Sequence, residues 1–169
     1  MMSTTSSRRS FAARFASLFT GAGVASLFAS SGASTAAAAQ APAGVQKMDY
    51  EGKAAGTGFI TPLIVHNGVI YIAGQGANSN GPVGKDDIDS HVTKVMENVK
   101  QLVEVGGGSM DSITQLTVFL TTLDNFEAMN KIFKTYFPNG GPARTTVAVA
   151  GLPGNSLIEI NCIAAIVRK

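Results

Sequence analysis

The 169-residue chain carries 13 Lys and Arg against 11 Asp and Glu, is 45% hydrophobic and 14% charged, and has one Cys and no Trp. That length suits one domain of ordinary size, and the composition excludes a highly charged disordered chain. A lone Cys excludes an intrachain disulfide, and no apolar run reaches about 18 residues unbroken by Gly and Ser clusters, so no membrane-spanning helix is expected.

Residues 1–44 differ from the rest: Arg8, Arg9 and Arg14 stand among many Ser and Ala with no acid. Ser7-Arg8-Arg9-Ser10-Phe11 is similar to a twin-arginine export signal, and Ala36 to Ala43 offers several small-x-small cleavage positions. The expectation is a signal peptide and linker over 1–44, a domain over 45–169, and a periplasmic destination. The alternative is a mitochondrial transit peptide, also Arg-rich, Ser-rich and poor in acids, with a matrix destination. Without this segment ten basic side chains face eleven acidic ones, a net charge of −1. A near-neutral domain has no electrostatic footprint for nucleic acid, and no stable membrane association is expected once the signal is removed. The pI of about 8.8 belongs mostly to the leader.

The first predicted elements are two β-type runs, Pro62–Val65 and Val69–Ala73. His66-Asn67-Gly68 lies between them, and Asn-Gly between apolar runs is a hairpin signal. An additional early strand is placed near Val45–Glu51. The stretch 78–87, "NSNGPVGKDD", is loop. Asp87 or Asp89 then caps a helix to about Val105, with Val92, Val95, Val99 and Leu102 on one stripe. Gly106-Gly107-Gly108 ends that helix. Asp111–Thr122 is rich in β-branched residues and reads as a strand. Asp124 caps a second helix from Asn125 to about Tyr136, whose apolar face includes Phe126, Met129 and Phe133. The last strands are about Arg144–Ala150 and Leu157–Val167, drawn as a hairpin folded about Pro153-Gly154. The order ββ–α–β–α–ββ describes an α+β fold with two helices on one face of a mixed sheet. The last strands are apolar at both parities, so the helix-free face also wants cover, and a homo-oligomer packed through bare sheet faces is expected.

Within these apolar strands Arg144 and Glu159 stand out. A guanidinium left unpaired in an apolar surround costs several kcal/mol, on the order given for buried charges. Either Arg144 reaches solvent or a structural carboxylate, or it receives a ligand carboxylate, whose two oxygens match its planar fork. Pairing across the expected hairpin sets Arg144 near Ile163 and Glu159 near Ala148, roughly 13 Å apart along the sheet, so the two are not expected to touch within one chain. Both are expected to face a cleft between subunits. Cys162, in "IEINCIAAI", reads as a buried, inert thiol. His66 and His91 have no metal-ligand spacing, and no metal is expected. Gly74-Gln75-Gly76 is followed by more loop rather than a helix, so it is not a nucleotide-binding turn.

"PARTTVAVAGLPGNSLIEINCIAAI", with "NVKQLVEVGGGSMDSITQLTVFL" and "FEAMNKIFKTYFP" before it, resembles the RidA (YjgF) family over nearly all of residues 58–169. The resemblance implies a chorismate-mutase-like fold, a homotrimer with ligand clefts between subunits, and no cofactor. It implies an enamine/imine deaminase that hydrolyses 2-imino acids, such as 2-iminopropanoate and 2-iminobutanoate, to 2-oxo acids and ammonia. On this resemblance Arg144 is the carboxylate-binding arginine, Glu159 the acid that activates water, and Asn130 a cleft asparagine. Gly74 and Gln75 stand in the family's Ser-Gly-Gln turn. Three positions depart: Ile60 replaces the cleft tyrosine, Ala73 the turn serine, and Thr146 the cysteine after the arginine. The substrate-binding set is then Arg144, Asn130, Thr146, Ala73, Gly74 and Ile60. The missing hydroxyls keep open an alternative, a non-catalytic protein that binds small carboxylates such as 2-oxo acids. An endoribonuclease, a label the family also carries, is disfavoured by the charge of −1 and the lack of a catalytic His pair.

Overall fold

The computed structural model describes residues 44–78 and 87–167. The arginine pair of the expected export signal, and most of the loop before the first helix, lie outside the described residues. Strands β1 (Gln46–Met48), β2 (Leu63–His66) and β3 (Val69–Gly76) come first. Helix α1 (Ile88–Val105), strand β4 (Ile113–Leu120), helix α2 (Phe126–Tyr136), and strands β5 (Ala143–Ala148) and β6 (Ile158–Ala165) follow. The expected early strand is present as β1. No helix among the described residues is long and apolar enough to cross a membrane.

Local chemistry fixes these bounds. Asn67 (φ 49°) and Gly68 (φ 79°) turn the β2–β3 hairpin, the double positive-φ geometry that matches strand twist. Asp87 caps α1, its carboxylate accepting from Ser90 N–H at 2.8 Å. At the other end Gly107 N–H donates to Glu104 O and Gly108 N–H to Val103 O, so the glycine run closes the helix through its own backbone. The strand expected over Asp111–Thr122 is trimmed by 3-10 turns at Met110–Ser112 and Leu123–Asn125. Asp124 accordingly does not cap α2. It lies inside the second turn, where its own N–H is held by Thr122 Oγ1 at 3.2 Å, and Asn125 is the N-cap.

The strand order is β1-β2-β3-β6-β4-β5, with β4 and β5 parallel and the other pairs antiparallel. This corrects the expected final hairpin. The turn at Pro153–Asn155 does reverse the chain, but β6 enters between β3 and β4 instead of pairing with β5. The reason is burial. Ile158, Ile160, Cys162 and Ala164 of β6 are buried, so β6 takes the sheet's interior. The strand with Arg144, Thr145 and Thr146 falls to the edge, where a charge is tolerated.

Both helices cover one face. Val92, Val95, Val99 and Leu102 of α1, with Met129 and Phe133 of α2, pack over Leu63, Ile70, Leu116, Val118 and Ile160. Each such side chain contributes about 1.5–3 kcal/mol when fully buried. Cys162 faces this core, and burial pushes its thiol up to about 12, which keeps it protonated and unreactive near neutral pH. The opposite face has no covering layer among the described residues: Tyr71 is 43% and Val147 40% exposed.

Candidate functional site

Strand register settles where the two charges point. In the parallel β4–β5 pair Leu116 lies beside Arg144 and Val118 beside Thr146, and neighbours in a ladder share a face. Leu116 and Val118 are buried under the helices, so Arg144 and Thr146 face the helix side. Glu159 is paired with Phe119, of the other parity, and faces the bare side. Since Phe119 also pairs with Val147, the charges are three positions apart, about 10 Å along the strands, and on opposite faces. They do not meet within the chain, as expected, though the cause is sheet parity and not the hairpin register.

The first group is built on β5 and α2. Arg144 is half-buried, its Cζ 4.7 Å from the ring centroid of Phe133 and 5.7 Å from that of Phe126. Its Nη1 donates to Met129 Sδ at 3.9 Å, a weak bond. Among the described residues no acid pairs with it. Thr146, two residues on, has its Oγ1 buried without a hydrogen-bond partner. Asn130 follows Met129 on α2.

The second group surrounds a bulge. Ile72 pairs with Cys162 and Gln75 with Ile160, so Ala73 and Gly74 together oppose Asn161. Gln75, 1% exposed, clamps the bulge from inside: its Nε2 donates to Ala73 O at 3.0 Å and its Oε1 accepts from Tyr50 O–H at 2.7 Å. Burial raises the Tyr50 phenol above its ordinary range, and the Gln75 bond partly offsets this. The Glu159 carboxylate lies over Gly74. A Cβ built there would collide with Oε1 and stand 2.9 Å from Cδ. Among the described residues no group hydrogen-bonds this carboxylate. It borders a cleft of about 180 Å³ lined also by Gly76, Asn78, Pro153 and Gly154.

The cleft rim is braced by Ser156, which sequence reasoning did not single out, and by His91, which it considered only as a metal ligand. Ser156 Oγ accepts from Ala77 N–H at 2.8 Å and donates to Ile158 O at 2.6 Å. Buried His91 accepts from Leu157 N–H through Nδ1 at 3.0 Å. Nothing local in the sequence marks these long-range bonds. Ile60, 66% exposed, precedes Pro62, whose carbonyl accepts Ala73 N–H at 3.0 Å, so it approaches the bulge end of the sheet. The predicted residues thus fall into two separate groups, Arg144 with Thr146 near α2, and Glu159 with Ala73 and Gly74. No group of three or more His, Cys, Asp or Glu that could hold a metal occurs among the described residues.

Gly74→Ala separates space from fold. The obstructed atoms are the end of a flexible side chain, so the carboxylate swings aside with little effect on stability. The expected result is an unfolding midpoint close to wild type with the Glu159 carboxylate displaced from its place over Gly74; a thermal melt beside a crystal structure of the variant checks it.

Known proteins share this fold. Residues 53–166 match the family model described as Endoribonuclease L-PSP. The mitochondrial protein mmf2 of Schizosaccharomyces pombe is 38% identical over 101 residues, covering 58% of this chain and 80% of that protein. Reactive Intermediate Deaminase A, chloroplastic, of Arabidopsis thaliana is 30% identical over 114 residues, covering 66% of this chain and 61% of that protein. Among solved structures, RidA from the Antarctic bacterium Psychrobacter sp. PAMC 21119 superposes with a TM-score of 0.63 at 27% identity, covering 72% of this chain and 99% of that one. Escherichia coli TdcF with bound serine gives 0.61 at 26% identity, covering 73% and 98%. With the mixed sheet, the two helices on one face and the matched stretch running from before β2 to the end of β6, the chain belongs to the Endoribonuclease L-PSP family, which includes the reactive intermediate deaminases.

Proposed function

We propose that this protein hydrolyses 2-imino acids and their enamine tautomers to 2-oxo acids and ammonia, at sites where Arg144 of one copy faces Glu159 of another. The observation that carries the reading is that both charges lack a polar partner of opposite sign among the described residues. A half-buried guanidinium held by carbon rings keeps its donors for an outside anion. A relative named Reactive Intermediate Deaminase A and another solved with bound serine, which carries a carboxylate, support the substrate class.

In the proposed reaction Arg144 holds the substrate carboxylate and so orients the protonated imine carbon. Water attacks that carbon while Glu159 takes one of its protons, and the π electrons move to nitrogen. The carbinolamine collapses as Glu159 returns the proton to nitrogen. The C–N bond breaks, ammonia leaves, and the ketone forms as Glu159 takes the remaining hydroxyl proton, which then passes to the departing ammonia or to water. The iminium carbon is already electrophilic, so no covalent nucleophile is required. Thr146 Oγ1 and Asn130 are proposed to hydrogen-bond substrate or water. Gly74, with Ala73 and Ile60, shapes the apolar wall beside the acid. The leader read at residues 1–44 supports the proposal of an exported, periplasmic protein, with the mitochondrial matrix as the alternative destination.

The test is ammonia release from freshly generated 2-iminopropanoate, with and without the full chain. Acceleration that 2-oxobutanoate inhibits competitively supports the reading. Tight 2-oxobutanoate binding without acceleration leaves a carboxylate-binding protein, and salt-sensitive RNA cleavage replaces both readings.

A further inference from the structure

The side chains under Arg144 form a pattern that the reaction itself does not use. Phe126, Met129 and Phe133 are spaced i, i+3 and i+7 on α2, so one stripe of that helix is ring, thioether, ring. Such a stripe ordinarily packs against aliphatic side chains of the sheet. Here it packs on the core and also meets a cation, with Arg144 Cζ 4.7 Å from the Phe133 centroid and 5.7 Å from the Phe126 centroid. Both lie within the roughly 6 Å over which a ring quadrupole attracts a guanidinium. Phe133 is itself fixed: it is 7% exposed and stacks on Phe137 at 4.7 Å with the rings tilted by 37°. The chain Phe137–Phe133–Arg144 therefore ends on a held guanidinium with no acid beneath it among the described residues.

From this geometry we infer that Phe133 is a positioning residue for the anion-binding arginine, with Phe126 as a weaker second ring. An acid in that place would also steady the guanidinium, but it would occupy the donors that a ligand carboxylate needs. A ring face attracts the cation without accepting its N–H groups in the guanidinium plane, so the fork stays presented to an incoming carboxylate. Met129 Sδ takes only one weak bond from Nη1. The arrangement also selects Arg over Lys, because an ammonium on this shelf has no planar fork to offer. The inference rests on the carboxylate-binding reading for the ligand, and on the rings alone for the positioning.

The experiment uses the full chain with Phe133→Leu, Phe133→Tyr and Phe126→Leu, and measures the Kd of 2-oxobutanoate by calorimetry together with KM and kcat for imine hydrolysis. Phe133→Leu keeps an apolar side chain and removes the ring. It is expected to raise Kd and KM about five- to ten-fold with kcat within two-fold, a size typical of one cation–π contact. Phe133→Tyr restores the ring and is expected to stay within two-fold of wild type. Phe126→Leu, at the farther ring, is expected to give a smaller shift of the same sign, and it serves if Phe133→Leu does not fold. A urea-unfolding cycle of the chosen Leu variant with Arg144→Ala is expected to show that ring loss costs less once the guanidinium is gone. Unchanged Kd in the Leu variants, or an additive urea cycle, overturns the inference. If the wild-type chain binds no carboxylate, the functional reading falls, and the urea cycle still decides whether the ring holds the guanidinium.

Discussion

Glu159→Gln is expected to lower kcat for 2-iminopropanoate hydrolysis by about 10²–10⁴-fold, the range for losing a general base. The amide is isosteric but does not take a proton from water at neutral pH. Its effect on folding is expected to be within about 0.5 kcal/mol, because the side chain is half-buried and no described group hydrogen-bonds the carboxylate. KM is expected to change little, since the carboxylate of the substrate is held elsewhere. Steady-state kinetics beside a thermal melt check all three. A variant that keeps its rate removes Glu159 from the chemistry.

Arg144→Ala is expected to lower kcat/KM by about a hundred-fold or more, because charge-assisted hydrogen bonds contribute about 1.5–3 kcal/mol each. The loss falls on KM as well as kcat, since the same contact binds the ground state and orients it. A modest fall in stability, about 0.5–2 kcal/mol, accompanies it as the two phenyl rings lose their cation. Arg144→Lys keeps the charge without the fork and is expected to recover only a small part of the lost rate. The 2-oxobutanoate Kd across these variants is the direct measurement.

Much of the fold was legible because its punctuation is local. Asn67-Gly68, Asp87 and the glycine run after Val105 each act within a few residues, and the apolar stripes of α1 and α2 have an unmistakable helical period. The slot taken by β6 was not legible. A turn such as Pro153–Asn155 shows that the chain reverses, while the choice of neighbour depends on which strand has more apolar surface to bury across the whole sheet. That choice also sets parity, so the opposite facing of Arg144 and Glu159 followed from an arrangement no local pattern encodes. The two charges themselves stood out because each interrupts an apolar strand. The rings beneath Arg144 looked like ordinary core positions, since a helical stripe does not reveal what it packs on. Gly74 stood out only by resemblance; that its missing side chain makes room for a carboxylate is visible only in three dimensions.

The placement of Arg144 and Glu159 on opposite sides of one sheet has a kinetic consequence for the proposed reaction. If the site is shared between copies, a solitary copy is catalytically mute, and turnover per copy is expected to obey mass action and decline upon dilution below the association midpoint. By the same logic, two silent variants, one lacking the arginine and the other the acid, are expected to regain part of the lost rate when mixed, because some shared sites then inherit an intact residue from each parent.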